Sequence, residues 1–456
     1  MSRDFVKKNI SKIISIFFLI FSTLLLCYVF YRSQIVHSGA RLDYYLKYYL
    51  IAFLSITLSF ISFFIPNNLK INVTIVGMST LIGLYLVEGY LVILHNPGLK
   101  SDNFLIYKNN TGKDYDKRNR YRVYLDLKRE DPNIITIIHP SHFINDQNLS
   151  YFPLSGLPNR KTIHCNENGY YSIFQSDRYG FNNPDKEWDK DEIEFLLIGD
   201  SFTHGACVNE PDTISGNLRK LNNNKDGILN LGQSGNGPLI EYATLREYLP
   251  VKQVKRVLWI YYENDLMDLY DELNNQILVS YLKDNNFSQN IILRNQEMEK
   301  ILLEKFEHYK FATLTQLIKL YSVRKKIFSI FGHDSISKPD SITTHTSAHL
   351  EKFKSILKLS NKLTKENNSK LYFIYLPKYN RYIDGGNNGQ LHSYNKIIKL
   401  VQSLDIPVID INKKLFEKYD DPLSLFSFKM VHYTEKSNQL IAKIIFSKIQ
   451  EYENIK

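Results

Sequence analysis

Three long stretches near the N-terminus carry almost no charge, and a water-soluble core of ordinary size has no room for that much contiguous apolar chain. The run from Ile13 to Tyr31 (IISIFFLIFSTLLLCYVFY) contains no charged residue, and neither does the run from Tyr48 to Ile65 (YYLIAFLSITLSFISFFI). At about 1.5 Å per helical residue, each reaches across roughly 30 Å of hydrocarbon. A third run, from Ile71 to about Leu94, is broken only by Glu88, near one end, where an ionised carboxylate can reach the interface. A cleaved signal peptide fits the first run poorly, because that run is too long, lacks a small-residue cleavage site and is followed by two more spans. Arg3, Lys7, Lys8 and Lys12 precede the first span, which favours a cytoplasmic N-terminus and, after three crossings, an extracytoplasmic C-terminal part. Arg32, Arg41 and Lys47 in the first loop pull the other way.

The anchor therefore occupies residues 1–95 of the 456, and the rest is long enough for a full α/β core with additional segments. Mean hydropathy over the whole chain, -0.27, hides this division. Three cysteines make no disulfide framework: Cys27 lies in a span, leaving Cys165 and Cys207 as the one pair available for a bridge outside the cytoplasm. The net charge of +10 comes from scattered lysines, and no nucleic-acid-binding motif accompanies it, so nucleic acid is not an expected partner.

Residues 96–190 mix short β-like runs, YRVYLDL (Tyr121 to Leu127) and NIITIIH (Asn133 to His139), with Pro, Asn and Gly turns, and read as a β-rich lead-in. From Glu192 the pattern changes. EIEFLLIGDS is a short buried strand ending in a tight turn, followed by strand-like runs at Ile228 (ILNLG), Arg256 (RVLWIYY), Lys370 (KLYFIYLP) and Pro407 (PVIDI). Segments of helical spacing lie between them, at 213–221, 239–248 and 347–364, with a last one at 434–452. Strands alternating with helices predict a parallel sheet covered on both faces, a three-layer α/β/α arrangement over 191–456 with a helical insertion at about 266–342.

In such sheets, ligands gather at the carboxyl ends of the strands. Ser201, in Gly199-Asp200-Ser201-Phe202-Thr203-His204-Gly205, directly follows the first strand, where a hydroxyl can project above the sheet. Gly232, in LNLGQSGNGP, ends the second strand and lets backbone N–H groups come close to a reacting centre. Asn264, in WIYYENDLMD, follows the third, with a side-chain amide able to donate to an oxyanion. His432, in FKMVHYTEKSNQLIAKII, immediately precedes the last helix, where an imidazole can take a serine proton and Thr434 can cap the helix behind it. Asp200 and Asp265 are expected to brace loops, and His204 to pack. No set of His, Cys and carboxylates has metal-ligand spacing, and no nucleotide loop is visible, so neither metal nor cofactor is expected.

Together these four blocks resemble the SGNH/GDSL hydrolase superfamily over Glu192 to Ile449, and SDRYGFNN (Ser176 to Asn183) is similar to the lead-in of large membrane-linked bacterial members. The resemblance implies a flavodoxin-like fold, Ser201 as nucleophile and His432 as base. It also implies an oxyanion hole from the Ser201 N–H, Gly232 and Asn264. The implied activity is hydrolysis of an ester-linked acyl group on an envelope carbohydrate or lipid, by a protein of the bacterial inner membrane. The alternatives are an O-acyltransferase acting on an envelope polysaccharide and a catalytically degenerate glycan-binding domain. Two positions depart from the family pattern: Lys429 stands where an Asp usually orients the His, and Tyr262 where a Gly usually precedes the Asn by two. Asp420 and Asp421 lie near the base in sequence without being placed by it.

Overall fold

The computed structural model describes residues 3–36, 39, 42–93, 101–146, 148–310, 312–330, 347–383, 388–428 and 431–454. Lys429 lies outside them. The chain forms two compact units, Met1–His95 with Gln316–His333, and Asn96–Thr315 with Asp334–Lys456.

In the first unit the apolar runs become α1 (Arg3–Phe30, continued by a π turn, Tyr31–Val36), α2 (Leu42–Ser62) and α3 (Asn67–Ile93). All three are long and apolar enough to cross a membrane. Most of their large side chains are exposed, as expected of helices whose natural solvent is lipid. Small polar contacts join them: Ser22 and Ser59 share a hydrogen bond of 3.2 Å, and the buried Lys70 ammonium donates to Ser15 Oγ (2.8 Å) and Ser11 O (3.4 Å). Lys70 near the start of α3 meets Ser11 and Ser15 near the start of α1, so α1 and α3 run parallel and α2 returns between them.

The second unit opens with α4 (Ser101–Thr111) and α5 (Arg120–Lys128), then β1 (Ile135–Thr136), β2 (Lys161–Ile163) and β3 (Ile173–Gln175). The expected β-rich character of this lead-in is therefore corrected: YRVYLDL lies in helix α5, and NIITIIH contributes only a two-residue strand. Asn119 explains the first difference. Its side chain accepts the Arg122 N–H at 2.8 Å and caps the helix, overriding the β-like alternation of the residues behind it.

The main sheet follows. β4 (Glu192–Gly199), α6 (Ser201–His204), α7 (Ile214–Leu221), β5 (Gly227–Asn230), α8 (Pro238–Tyr248) and β6 (Gln253–Tyr262) come first. The insertion supplies α9 (Asp265–Glu272), α10 (Gln276–Lys283), α11 (Asn295–Lys310), α12 (Ala312–Ile318) and α13 (Tyr321–Ile330). Then come α14 (Ser347–Glu366), β7 (Lys370–Leu376), α15 (Asn388–Gln402), β8 (Val408–Asp410), α16 (Ile411–Lys414) and α17 (Glu435–Asn454). The strand order is β5-β4-β6-β7-β8, parallel throughout, the 2-1-3-4-5 order of flavodoxin-like folds. Alternate residues of β4 face opposite layers. Ile193, Leu196 and Ile198 pack with α8 and the lead-in, whereas Phe195 and Leu197 pack with α7 and α17. The near-continuous apolar composition of β4, β6 and β7 follows from burial on both faces.

Candidate active site

Three neighbouring strands, β5, β4 and β6, end side by side, with Leu197 opposite Asn230 and Gly199 opposite Ile260. Ser201, Gly232 and Asn264 each follow one of these ends by two residues, so the three sequence-predicted positions lie along one rim of the sheet. Gly199, at φ +153°, sits where an added Cβ would fall 2.5 Å from Ile260 O and 2.1 Å from Thr203 Oγ1. No side chain fits there, and its absence allows the sharp turn that lifts Ser201 above the rim.

His432 arrives from the far end of the chain. Its Nε2 lies 2.9 Å from Ser201 Oγ. Its Nδ1 lies 3.0 Å from Glu167 Oε1, and the other carboxylate oxygen accepts the His432 backbone N–H (3.0 Å) and the Ser427 hydroxyl (2.8 Å). An ionised carboxylate only accepts, so Nδ1 carries the proton and Nε2 is left to accept from Ser201 Oγ. Burial raises the Glu167 pKa, but the bonds and charge of His432 and the Ser427 hydroxyl outweigh it and leave it below the ordinary value.

Glu167 was not legible as a site residue. It belongs to the lead-in, more than 260 positions before the histidine, on the turn between β2 and β3. That turn is closed by Ser172 N to Cys165 O and His164 N to Ser172 O, both 2.9 Å, and by Gly169 N to Asn166 Oδ1 at 3.1 Å. Asn166 also donates to Asp116 O (2.9 Å) and Tyr107 OH to Asn168 O (2.7 Å). A disulfide joins Cys165 to Cys207, six residues past Ser201. The one available clue was this pairing, which the sequence left open. Once formed, it places the turn after Cys165 beside Ser201. The lead-in also grips the loop before His432, with Tyr107 and Tyr115 packing their rings on Phe428 at centroid distances of 5.4 and 6.2 Å.

The remaining predicted residues fall as follows. Asp200 caps α6, accepting the Phe202 N–H at 2.9 Å, and burial pushes its pKa up to about 6. Asp265 accepts the Tyr262 N–H at 2.9 Å and so fastens the turn after β6. Gly232 donates its N–H to Asn230 Oδ1 at 3.0 Å, and a Cβ there would lie 2.5 Å from Thr203 Cβ, so the glycine permits the β5 loop to lie against α6. Asn264 donates one amide N–H to Asp268 Oδ2 at 2.9 Å. Tyr262, in place of the usual glycine, stacks on Phe202 at 3.9 Å. His204 is fully buried against His164 (4.6 Å) and Phe174 (5.2 Å), and burial pushes its pKa down to about 3, which makes it a neutral packing residue. SDRYGFNN holds the same region from below: Asn182 donates to His204 O and Asn183 to Asn230 O, each at 2.9 Å.

Among the described residues, Glu167, Cys207 and His432 are the one group whose potential ligand atoms converge, within 4.8 Å. The sulfur is held in the disulfide and the other two bond each other, so this donor set does not suit a metal.

The strand order, with the serine on the first strand's rim and the histidine before the last helix, decides the fold. It is a flavodoxin-like three-layer α/β/α fold. No protein-family model and no curated protein sequence matches the chain. Among solved structures, the chain is similar to a member of the lipolytic protein G-D-S-L family from Veillonella parvula (14% identity, 56% of this chain and 97% of that one, TM-score 0.28). It is also similar to the psychrotrophic esterase EstA from Pseudoalteromonas sp. (11%, 58% and 99%, 0.31) and to the lipase/acylhydrolase from Enterococcus faecalis (11%, 57% and 96%, 0.33).

Proposed function

We propose that the protein is a membrane-anchored serine hydrolase that cleaves ester-linked acyl groups. The observation that carries this reading is the hydrogen-bonded series Ser201 Oγ, His432 Nε2, His432 Nδ1 and Glu167 Oε1, with 2.9 and 3.0 Å between heavy atoms. Ser201 attacks the acyl carbonyl while His432 takes its proton; Glu167 holds the imidazole tautomer and stabilises the imidazolium. His432 then protonates the departing alcohol. Water, deprotonated by the same Nε2, releases the acid and restores the serine. The oxyanion falls to the Ser201 N–H and to the second amide N–H of Asn264, with Gly232 lining the same rim.

The substrate class we favour is an acylated carbohydrate or lipid of the bacterial envelope. Three membrane-crossing helices hold the chain beside such molecules. A disulfide persists where thiols are not kept reduced, and Cys165–Cys207 therefore supports an extracytoplasmic second unit on the inner membrane. An acceptor sugar hydroxyl in place of water would make the same acyl-enzyme a transferase.

The test is a short-chain nitrophenyl ester assay with Ser201→Ala, together with fluorophosphonate labelling. A labelled Ser201 and loss of turnover in the variant are expected. Unchanged hydrolysis in Ser201→Ala refutes the nucleophile, and an unlabelled serine in the unmodified protein favours a glycan-binding domain.

A further inference from the structure

Glu88 is the one carboxylate in α3, and it does not reach for water. It is completely buried, and its two oxygens accept the backbone N–H groups of Ser322 (2.9 Å) and Val323 (2.7 Å), the first turn of α13. One turn earlier on the same face of α3, Tyr85 OH donates to Ile318 O at 2.9 Å. The chain thus returns to its own membrane helix more than 230 positions later, and residues Gln316–His333 belong to the unit formed by the spans.

The depth of this contact follows from geometry. Glu88 lies five residues before the end of α3, about 7.5 Å along its axis. A helix of 27 residues is about 40 Å long and overhangs a 30 Å hydrocarbon layer by about 5 Å at each end, which puts Glu88 close to the boundary between acyl chains and headgroups. An ionised carboxylate at that depth is stabilised by the N-terminal amides of a helix. The helix it holds is therefore fixed at the same boundary.

The composition of residues 316–330 suits such a place. Ile318, Tyr321 and Ile327 are 56, 46 and 43% exposed, while Lys319, Arg324, Lys325 and Lys326 are all exposed and no acidic residue occurs between them. Exposed apolar groups interleaved with cations and free of acids characterise a segment lying in an anionic lipid interface.

We infer that residues 316–330 form an interfacial element that binds anionic lipid headgroups, with Ile318, Tyr321 and Ile327 entering the acyl boundary and Lys319, Arg324 and Lys325 meeting the phosphates. Glu88 is its internal anchor. The proposal stands whether or not Ser201 is a nucleophile.

The test uses the full chain with Cys27→Ser and a polarity-sensitive fluorophore on Ile327→Cys, since Cys165 and Cys207 are bridged. The protein is placed in vesicles of phosphatidylcholine alone or with roughly a third phosphatidylglycerol. The expected result is a blue-shifted probe quenched by headgroup-region nitroxide lipids, more strongly in the anionic vesicles. Replacing Lys319, Arg324 and Lys325 by Gln is expected to lower the segment's lipid partition by about two orders of magnitude, about five-fold per cation. These positions are exposed, so the variant leaves the packing of the unit intact. A probe equally open to aqueous iodide in both vesicles overturns the proposal. So does one equally shielded in detergent and lipid, which would point to a second copy of the chain as the occupant.

Discussion

Replacing Glu167 by Gln changes one atom and should stop the proposed chemistry. Two donors, the His432 N–H and the Ser427 hydroxyl, converge on Oε2, whereas His432 Nδ1 alone faces Oε1. The amide introduced by Glu167→Gln therefore keeps its oxygen toward the two donors and turns its NH2 group toward Nδ1. An NH2 group only donates, so Nδ1 must accept and the imidazole proton moves to Nε2, where it points at Ser201 Oγ and the base can no longer take the serine proton. The side chains of His432 and Glu167 are only 16 and 12% exposed, so solvent screens little of the lost interaction. A charge-assisted bond of this kind contributes about 1.5–3 kcal/mol, and the inverted tautomer adds to that. The sum is a fall in kcat of about 10³ to 10⁴, or about 4–5.5 kcal/mol, with KM nearly unchanged. Steady-state hydrolysis of a nitrophenyl ester, with circular dichroism to verify folding, reads it directly. A folded Glu167→Gln protein retaining more than a tenth of the wild-type kcat would refute the role given to this carboxylate.

Three further outcomes are expected. Opening the Cys165–Cys207 bridge, by Cys165→Ser or by a dithiol that takes up the oxidation, frees a loop with a sequence separation of 42. The entropy of closing such a loop amounts to about 4 kcal/mol, so thermal unfolding should shift down and kcat should fall with it, while Ser201→Ala shifts kcat alone. Burial raises the Glu272 carboxyl to about 8, although it accepts the Gly237 and Leu239 N–H groups. The folded state then binds a proton that the unfolded state has released, and stability declines as pH rises from about 4.5 to 8; Glu272→Gln should flatten that decline in melting curves. Gly232→Ala places a methyl 2.5 Å from Thr203 Cβ and 2.8 Å from the His204 nitrogen. A loss of about 1–3 kcal/mol in denaturant unfolding, with reduced activity, is expected.

Much of this architecture was legible because it rests on local signals. The charge-free runs, the two-sided apolar strands β4, β6 and β7, and the GDS and HYTE blocks each announce themselves within a dozen residues. The approach of Ser201 to His432 follows from those signals once the strands are ordered in parallel. What escaped depends on contacts between distant segments. YRVYLDL has the alternation of a strand, yet a single Asn cap before it starts a helix. Glu167 sits in a polar turn that looks like any solvated loop, and only the closed bridge to Cys207 brings it to the histidine. Glu88 could be read as a carboxylate near a span's end, but its partner was an amide pair in a segment that looked like part of the insertion.

The origin of Glu167 has a practical consequence for anyone cutting this protein. A fragment begun at Glu192 would retain all four motif blocks and the whole parallel sheet, and by inspection would look sufficient. Its imidazole would nevertheless face no acid, and Cys207 would be left with an unmatched thiol. The smallest piece able to do the proposed work starts well upstream, early enough to include the helix bearing Tyr107, which means that the true border of the working unit cannot be read from the motif blocks.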